Sequence, residues 1–291
     1  MPNTKTGHLD WFNWSFDWDV PDSEGLTLKD GYFKGVLVFY KFSIPVIRVK
    51  YLRDAGVLAD LEGGGAGPFA DQISWHLGGD HGLQKVEENN NEYVGMVEFD
   101  HPTLGLWLKM AVYARIGAYH IKQEWWLSNK GVILPRVWSK GLFINVDHTH
   151  HPYWRLDFDV DGHENNRVYV EDSGIFLPYK KEANDRKANY VKPQWYIRNT
   201  QSNKGVWIIP GPHDGHPDSF SQNDVAIRLY HESEEQNPWR WGTHGLGLLS
   251  PKAELLTDSS DIVFWYIAHL FHDASDGGNV FHWAGPSIFI N

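Results

Sequence analysis

No cysteine occurs in the 291 residues, so no disulfide supports the fold. No run of 18 continuous apolar residues exists either, and no transmembrane helix is expected. Met1-Pro2-Asn3-Thr4-Lys5 lacks the apolar stretch of a signal peptide, and the expectation is a cytoplasmic, soluble protein with no membrane partner. Excess positive charge is missing: a formal net charge of −11 opposes nonspecific nucleic-acid binding and mildly favours cationic amines. No long run carries a clean 3.6-residue period, so any helix should be short. No Ser/His/Asp arrangement has a local signature, and Gly63-Gly64-Gly65 lacks the strand-to-helix setting of a phosphate loop. Hydrolytic triads and nucleotide binding are therefore set aside.

What the chain does have is short hydrophobic stretches rich in aromatics. Hydrophobic residues make up 42%, with 15 tryptophans, enough for a substantial core. β-Branched and aromatic runs bounded by Gly, Asn, Asp and Pro cover 35–51, 92–99, 105–127, 131–144, 153–160, 168–170, 191–198, 205–209, 225–230 and 262–272. No linker or repeat divides them. The expected architecture is all-β, one large antiparallel β-sandwich spanning 1–291 as a single domain. The segments 180–187 and 211–217 read as loops, the second holding His213 and His216 as a rival metal pair.

Sixteen histidines make an isolated His-x-His a weak signal, and an acidic alternation is more often a solvated strand face. Parity gives both patterns weight, because successive side chains of a strand point to opposite faces. From Tyr153 to Asp161 the alternation is strict, with Trp154, Leu156, Phe158 and Val160 on one face and Arg155, Asp157, Asp159 and Asp161 on the other. The same phase carried backwards puts His148 and His150 on the apolar face. Asp261 and His272 are separated by the same parity. If the two segments are neighbouring strands, His148, His150 and His272 converge on one side and Asp157, Asp159 and Asp261 on the other. Imidazoles suit copper, zinc or iron; carboxylates suit calcium, magnesium or manganese. A break at Pro152 or a bulge would reset the phase. A register slip would bring in His151 or His269 instead.

His148-x-His150 followed by Arg155-Leu156-Asp157-x-x-x-Asp161-Gly162 resembles the copper-binding segment of the copper amine oxidases, which use a topaquinone made from one of their own tyrosines. Trp14-Ser15-Phe16 with Glu24-Gly25-Leu26, Tyr40-Lys41-Phe42-Ser43 with Val49-Lys50-Tyr51, Leu77-Gly78-Gly79-Asp80, and Gln194-Trp195-Tyr196 with Asn199 extend the resemblance over nearly the whole chain. It implies the sandwich of that family's catalytic domain (the supersandwich), standing alone without the usual N-terminal accessory domains. It also implies copper on His148, His150 and His272, with His272 preferred to His269 on the spacing from Asp261. A second, peripheral cation, usually calcium, would be held by Asp157, Asp159, Asp261 and the carbonyls of Phe158 and Ile262. Tyr119 takes the place of the cofactor precursor, Tyr51 that of the tyrosine hydrogen-bonded to the quinone, and Asp60, with Glu62 as its competitor, that of the catalytic base. The family is dimeric through long hairpin arms. This chain is trimmed where such arms would lie, and a homodimer is still the expectation.

The departures are specific. Ala118 stands where the family has an asparagine, His120 where it has an acidic residue, and the base region reads Ala59-Asp60-Leu61-Glu62 without its gating tyrosine. Three functions remain open from sequence. The first is a copper-dependent oxidation of a primary amine by O2 through a quinone at Tyr119. The second is a metal-dependent oxidase, oxygenase or lyase that keeps Tyr119 unmodified and uses His120 as acid/base group. The third is a non-catalytic metal-binding protein.

Overall fold

The computed structural model of the chain describes residues 5–22, 24–51, 69–74, 82–84, 93–143, 145–232 and 254–291. The expected base candidates Asp60 and Glu62, and the loop 77–80, lie outside the described residues.

Two large antiparallel sheets make a β-sandwich, as expected. In the first, the strands run in the order Thr6–Trp11, Trp14–Asp19, Thr27–Phe33, Val36–Val49, His148–Asp157, Ile262–Ile267, Val225–Leu229 and Ala183–Asp185. Leu270–His272 and Phe69–Asp71 add to its centre. The second runs Ile175–Pro178, Asn166–Asp172, Gln194–Asn199, Gly205–Ile209, Ser287–Ile290, Val132–Lys140, Tyr119–Ser128, Gly105–Ile116 and Gly82–Gln84. His282–Ala284 and Gly95–His101 lie beside this path. The described residues include two three-residue 3₁₀ turns, Lys187–Asn189 and Ala274–Asp276.

The apolar alternation of the facing strands fills the space between the sheets. Trp14, Phe16, Phe42, Trp125, Trp154, Phe158 and Trp195 are buried in one continuous cluster. Cross-sheet hydrogen bonds pin the layers together: Gln123 and the Trp125 indole both donate to the Leu26 carbonyl at 2.8 Å, and the Leu26 amide donates to Gln123 at 2.7 Å.

Most expected runs differ at their ends by one to four residues, and three differ for a physical reason. The run 105–127 is a hairpin, because Gly117, with φ 58°, and Ala118 form a two-residue turn between paired Ile116 and Tyr119. The run beginning at 153 starts at His148, since Pro152 is accommodated within the strand. The run 262–272 is interrupted at Ala268 and His269, opposite Pro152, which has no N–H to give the ladder. Pro152 still accepts from the Ala268 amide at 3.3 Å, and the register is the same on both sides of the gap.

Candidate metal centre

His148–Asp157 is the strand that organises the site. It pairs with Val36–Val49 on one side and with Ile262–Ile267 and Leu270–His272 on the other. The one irregularity in its pairing with Val36–Val49 is an extra residue between Ser43 and Val46, on the neighbouring strand. The phase of His148–Asp157 is therefore unbroken. His148 lies directly opposite His272, and His150 opposite Leu270.

These pairings bring His148, His150 and His272 together on the inner face, all buried, with one nitrogen from each within 4.8 Å of the others. His148 Nδ1 sits 2.8 Å from the Val146 carbonyl, which can only accept. The proton is thus on Nδ1, and Nε2 carries the lone pair. Nε2 of His150 is 3.0 Å from Nε2 of His148. Two imidazole nitrogens on a tetrahedral zinc-like ion would be roughly 3.3 Å apart. Both ring nitrogens of His272 are buried without a hydrogen-bond partner. Burial keeps His150 well below the usual imidazole value, with His148 and His272 adding repulsion, and it lowers His148 despite the Val146 carbonyl. His272 is pushed down to about 4, first by burial and then by His148 and His282. Three neutral rings with converging lone pairs and an unsatisfied member are a donor set that fits a divalent transition metal such as copper or zinc.

Tyr119 reaches this triad from the opposite sheet. It is the first residue after the Gly117-Ala118 turn, and Gly141 packs against it so closely that a Cβ there would lie 2.1 Å from the Ala118 carbonyl oxygen. The Tyr119 oxygen is 3.1 Å from His148 Nε2 and 2.6 Å from the Tyr51 oxygen, and it accepts from the Phe143 amide at 3.2 Å. The Tyr119 ring meets His150 edge-on at 4.8 Å. Burial raises the phenol of Tyr119, while the bonds from Tyr51 and Phe143 act to lower it; Tyr51 is raised by burial and by Tyr119.

Asp71 is a group that sequence reading missed. Its three-residue strand pairs with the Val36–Val49 strand at Ile47. Burial pushes its carboxyl up to about 7, and its charge acts on both Tyr51 and Tyr119. Phe69, on the same short strand, sets its ring 6.0 Å from that of Tyr51.

His120 is not brought to the site. It follows Tyr119 on a strand, so it faces the other way, and it is exposed. His269 also faces away from the triad, opposite His151, with their Nδ1 atoms 2.8 Å apart; His151 contacts Asp218 at 3.2 Å and His269 contacts Asp224 at 3.3 Å. His213 and His216 are exposed, His213 against the Trp283 ring, and neither joins a metal-competent group among the described residues.

The carboxylates converge on the opposite face. Asp157, Asp159 and Asp261 each place an oxygen within 4.8 Å of the others. Burial pushes Asp159 up to about 8, with Asp157, Asp261 and Asp30 adding repulsion, and one of its oxygens is buried without a partner. Arg155 lies 3.0 Å from Asp157. Negative charge confined in this way fits a hard cation. Phe158 follows the end of one strand and Ile262 opens another, with both side chains in the core.

Among solved structures the chain is similar to a copper-containing benzylamine oxidase from Hansenula polymorpha, with 13% identity, a TM-score of 0.73, and 100% of this chain covering 61% of that one. It is also similar to an Aspergillus nidulans amine oxidase (14% identity, TM-score 0.73) and to the Pichia pastoris lysyl oxidase (16% identity, TM-score 0.75), in each case with 98% of this chain covering 51% of the other. The chain thus spans about half to three fifths of the length of these proteins. No protein-family model and no curated protein matches the sequence. At 13–16% identity the likeness is one of fold, that of the copper amine oxidases.

Proposed function

We propose that the protein is a copper-dependent oxidase in which Tyr119 is the precursor of a quinone, acting on a primary amine with O2. The observation that carries this reading is the Tyr119 oxygen 3.1 Å from Nε2 of His148, within a buried three-histidine cluster. His148, His150 and His272 would hold the copper, and the bound ion would supply one-electron redox chemistry toward O2. The overall reaction is RCH2NH2 + O2 + H2O giving RCHO, NH3 and H2O2.

The chain's own groups divide the remaining work. The amide of Phe143 and the hydroxyl of Tyr51 hold the oxygen at position 119 by donating to it, which fixes the ring against the histidines. Asp71, pushed up to about 7, has the proton affinity of a general base at neutral pH and would take the α-proton of the amine. The aromatic rings of Phe69 and Phe143 flank that of Tyr51, at 6.0 and 6.4 Å. The net charge of −11 favours approach of a cationic amine. Calcium on Asp157, Asp159 and Asp261, with the carbonyls of Phe158 and Ile262, and a homodimer belong to the same reading.

The test is phenylhydrazine treatment of an aerobic, copper-loaded preparation, followed by visible spectroscopy and peptide mass. A coloured adduct on the Tyr119 peptide is the expected result. Copper-bound protein with an unmodified Tyr119 peptide overturns the quinone and leaves a metal enzyme whose phenol stays a phenol.

A further inference from the structure

His272 takes part in two groupings, and the second has no role in the chemistry above. Its ring is fully buried, yet neither nitrogen has a hydrogen-bond partner. One grouping holds His148 and His150. The other holds Asp276 and His282, and the ligand atoms of His272, Asp276 and His282 lie within the same 4.8 Å of one another. The rings of His272 and His282 are 5.0 Å apart, and His282 Nε2 is 2.5 Å from Asp276 Oδ2.

Local structure holds this second group ready. The connection between Leu270–His272 and His282–Ala284 makes a 3₁₀ turn at Ala274–Asp276, capped by the Asp273 side chain, which accepts from the Ser275 amide at 2.8 Å. Asp147, next to His148, accepts from the Ala274 amide at 2.9 Å and ties the turn to the metal strand. Asp276 Oδ1 accepts from the Gly278 amide at 2.8 Å, which directs Oδ2 toward His282. Gly277 and Gly278, at φ 67° and 70°, take the left-handed conformations that close the turn. The side chains of His282 and Asp276 are 26% and 17% exposed, whereas His272 is wholly buried, so the group runs from solvent to the inner triad.

We propose that His272, Asp276 and His282 form a second divalent-metal position, which shares His272 with the triad through the two nitrogens of its ring. Two imidazoles, one carboxylate and a solvent-facing side suit Zn2+ or Cu2+. Occupation displaces the N–H of His282 from the nitrogen facing Asp276 to Nδ1, and a bridging His272 gives up its ring N–H, which passes to solvent. The proposal shares a ligand with the copper reading and does not depend on a quinone, so the phenylhydrazine test can fail while this position stands.

The experiment counts zinc. Chelator-stripped full-length protein is dialysed against Zn2+ with excess Ca2+ to occupy the carboxylate cluster, and bound zinc is measured by mass spectrometry in wild type, His282→Ala and Asp276→Asn. Each variant should hold one zinc fewer than wild type. An unchanged count in both overturns the proposal. Asp276→Asn keeps the oxygen that accepts from Gly278, so it decides the matter if His282→Ala does not fold. Fully copper-loaded protein gives a second readout, because two Cu2+ ions bridged by one imidazole are spin-coupled. The integrated EPR signal of wild type should fall below its copper content and recover to one spin per copper in His282→Ala. A signal equal to the copper content in wild type overturns the bridge.

Discussion

The phenol oxygens of Tyr51 and Tyr119 lie 2.6 Å apart, the first just past the end of the Val36–Val49 strand of one sheet and the second at the start of Tyr119–Ser128 in the other. Because Nε2 of His148 carries a lone pair, the Tyr119 hydroxyl is directed to it, and Tyr51 is the donor of the shared bond. Tyr51→Phe removes this donor without changing the ring. Turnover should drop by about tenfold, in line with the net worth of one hydrogen bond. Peroxide release in steady state measures it, and an unchanged rate would remove Tyr51 from the site.

Replacing any one of His148, His150 and His272 by alanine should lower bound copper by at least one equivalent per chain, measured by elemental analysis after dialysis. His269→Ala should keep it, since His269 is held on the other face by His151 and Asp224. Copper loss in His269→Ala with retention in His272→Ala would reverse the assignment.

Asp71 sets a pH dependence. Its carboxyl, held up to about 7 by burial, must lose its proton to act as a base. The rate constant kcat/KM should therefore rise with pH through about 7, and that limb should vanish in Asp71→Asn along with at least a hundredfold of the rate. A profile with the same rising limb in the variant would rule Asp71 out.

The carboxylate cluster sets a second, thermodynamic dependence. Asp159 keeps its proton up to about 8 in the folded protein, while an unfolded carboxylate releases it near 3.8. Between these values the folded state binds more protons, so its contribution to stability is full below the lower value and is lost as pH rises through the upper one. With chelator present, Tm should fall across this window. Calcium at a hundredfold excess over Kd should add about 2.7 kcal/mol, and the gain should disappear in Asp159→Asn. Calorimetry with and without calcium decides it.

Gly141→Ala tests the packing that places Tyr119. The added methyl would collide with the Ala118 backbone, and φ 120° at this position disfavours any side chain. A loss of about 1–3 kcal/mol is expected, read from denaturant unfolding.

Much of this centre was legible in the sequence for one reason, strand parity. The faces of His148, His150, Asp157 and Asp159 follow from alternation alone, and the bulge lies on the neighbouring strand, where it leaves their phase intact. The same rule places His120 on the side away from Tyr119. The remainder needed pairing partners that are distant in the chain. Asp71 sits on a strand of three residues, too short for a pattern, and it reaches Tyr51 only through its ladder with Ile47. The Phe143 donor is a backbone amide and has no signature of its own. His282 reads as one more scattered histidine until the 270–284 segment folds back on itself.

The constant register across Pro152 has an implication for how this chain can change. His148 faces His272 and His151 faces His269, on opposite sides of the same two strands. Deleting or inserting a single residue between His151 and Asp157 would put the histidines and the carboxylates out of phase, either exchanging the inner and outer histidines or bringing carboxylates into the apolar layer. Substitutions can be tried here one at a time, but length is a fixed quantity. In a library of variants, this segment should accept no frame-preserving indel.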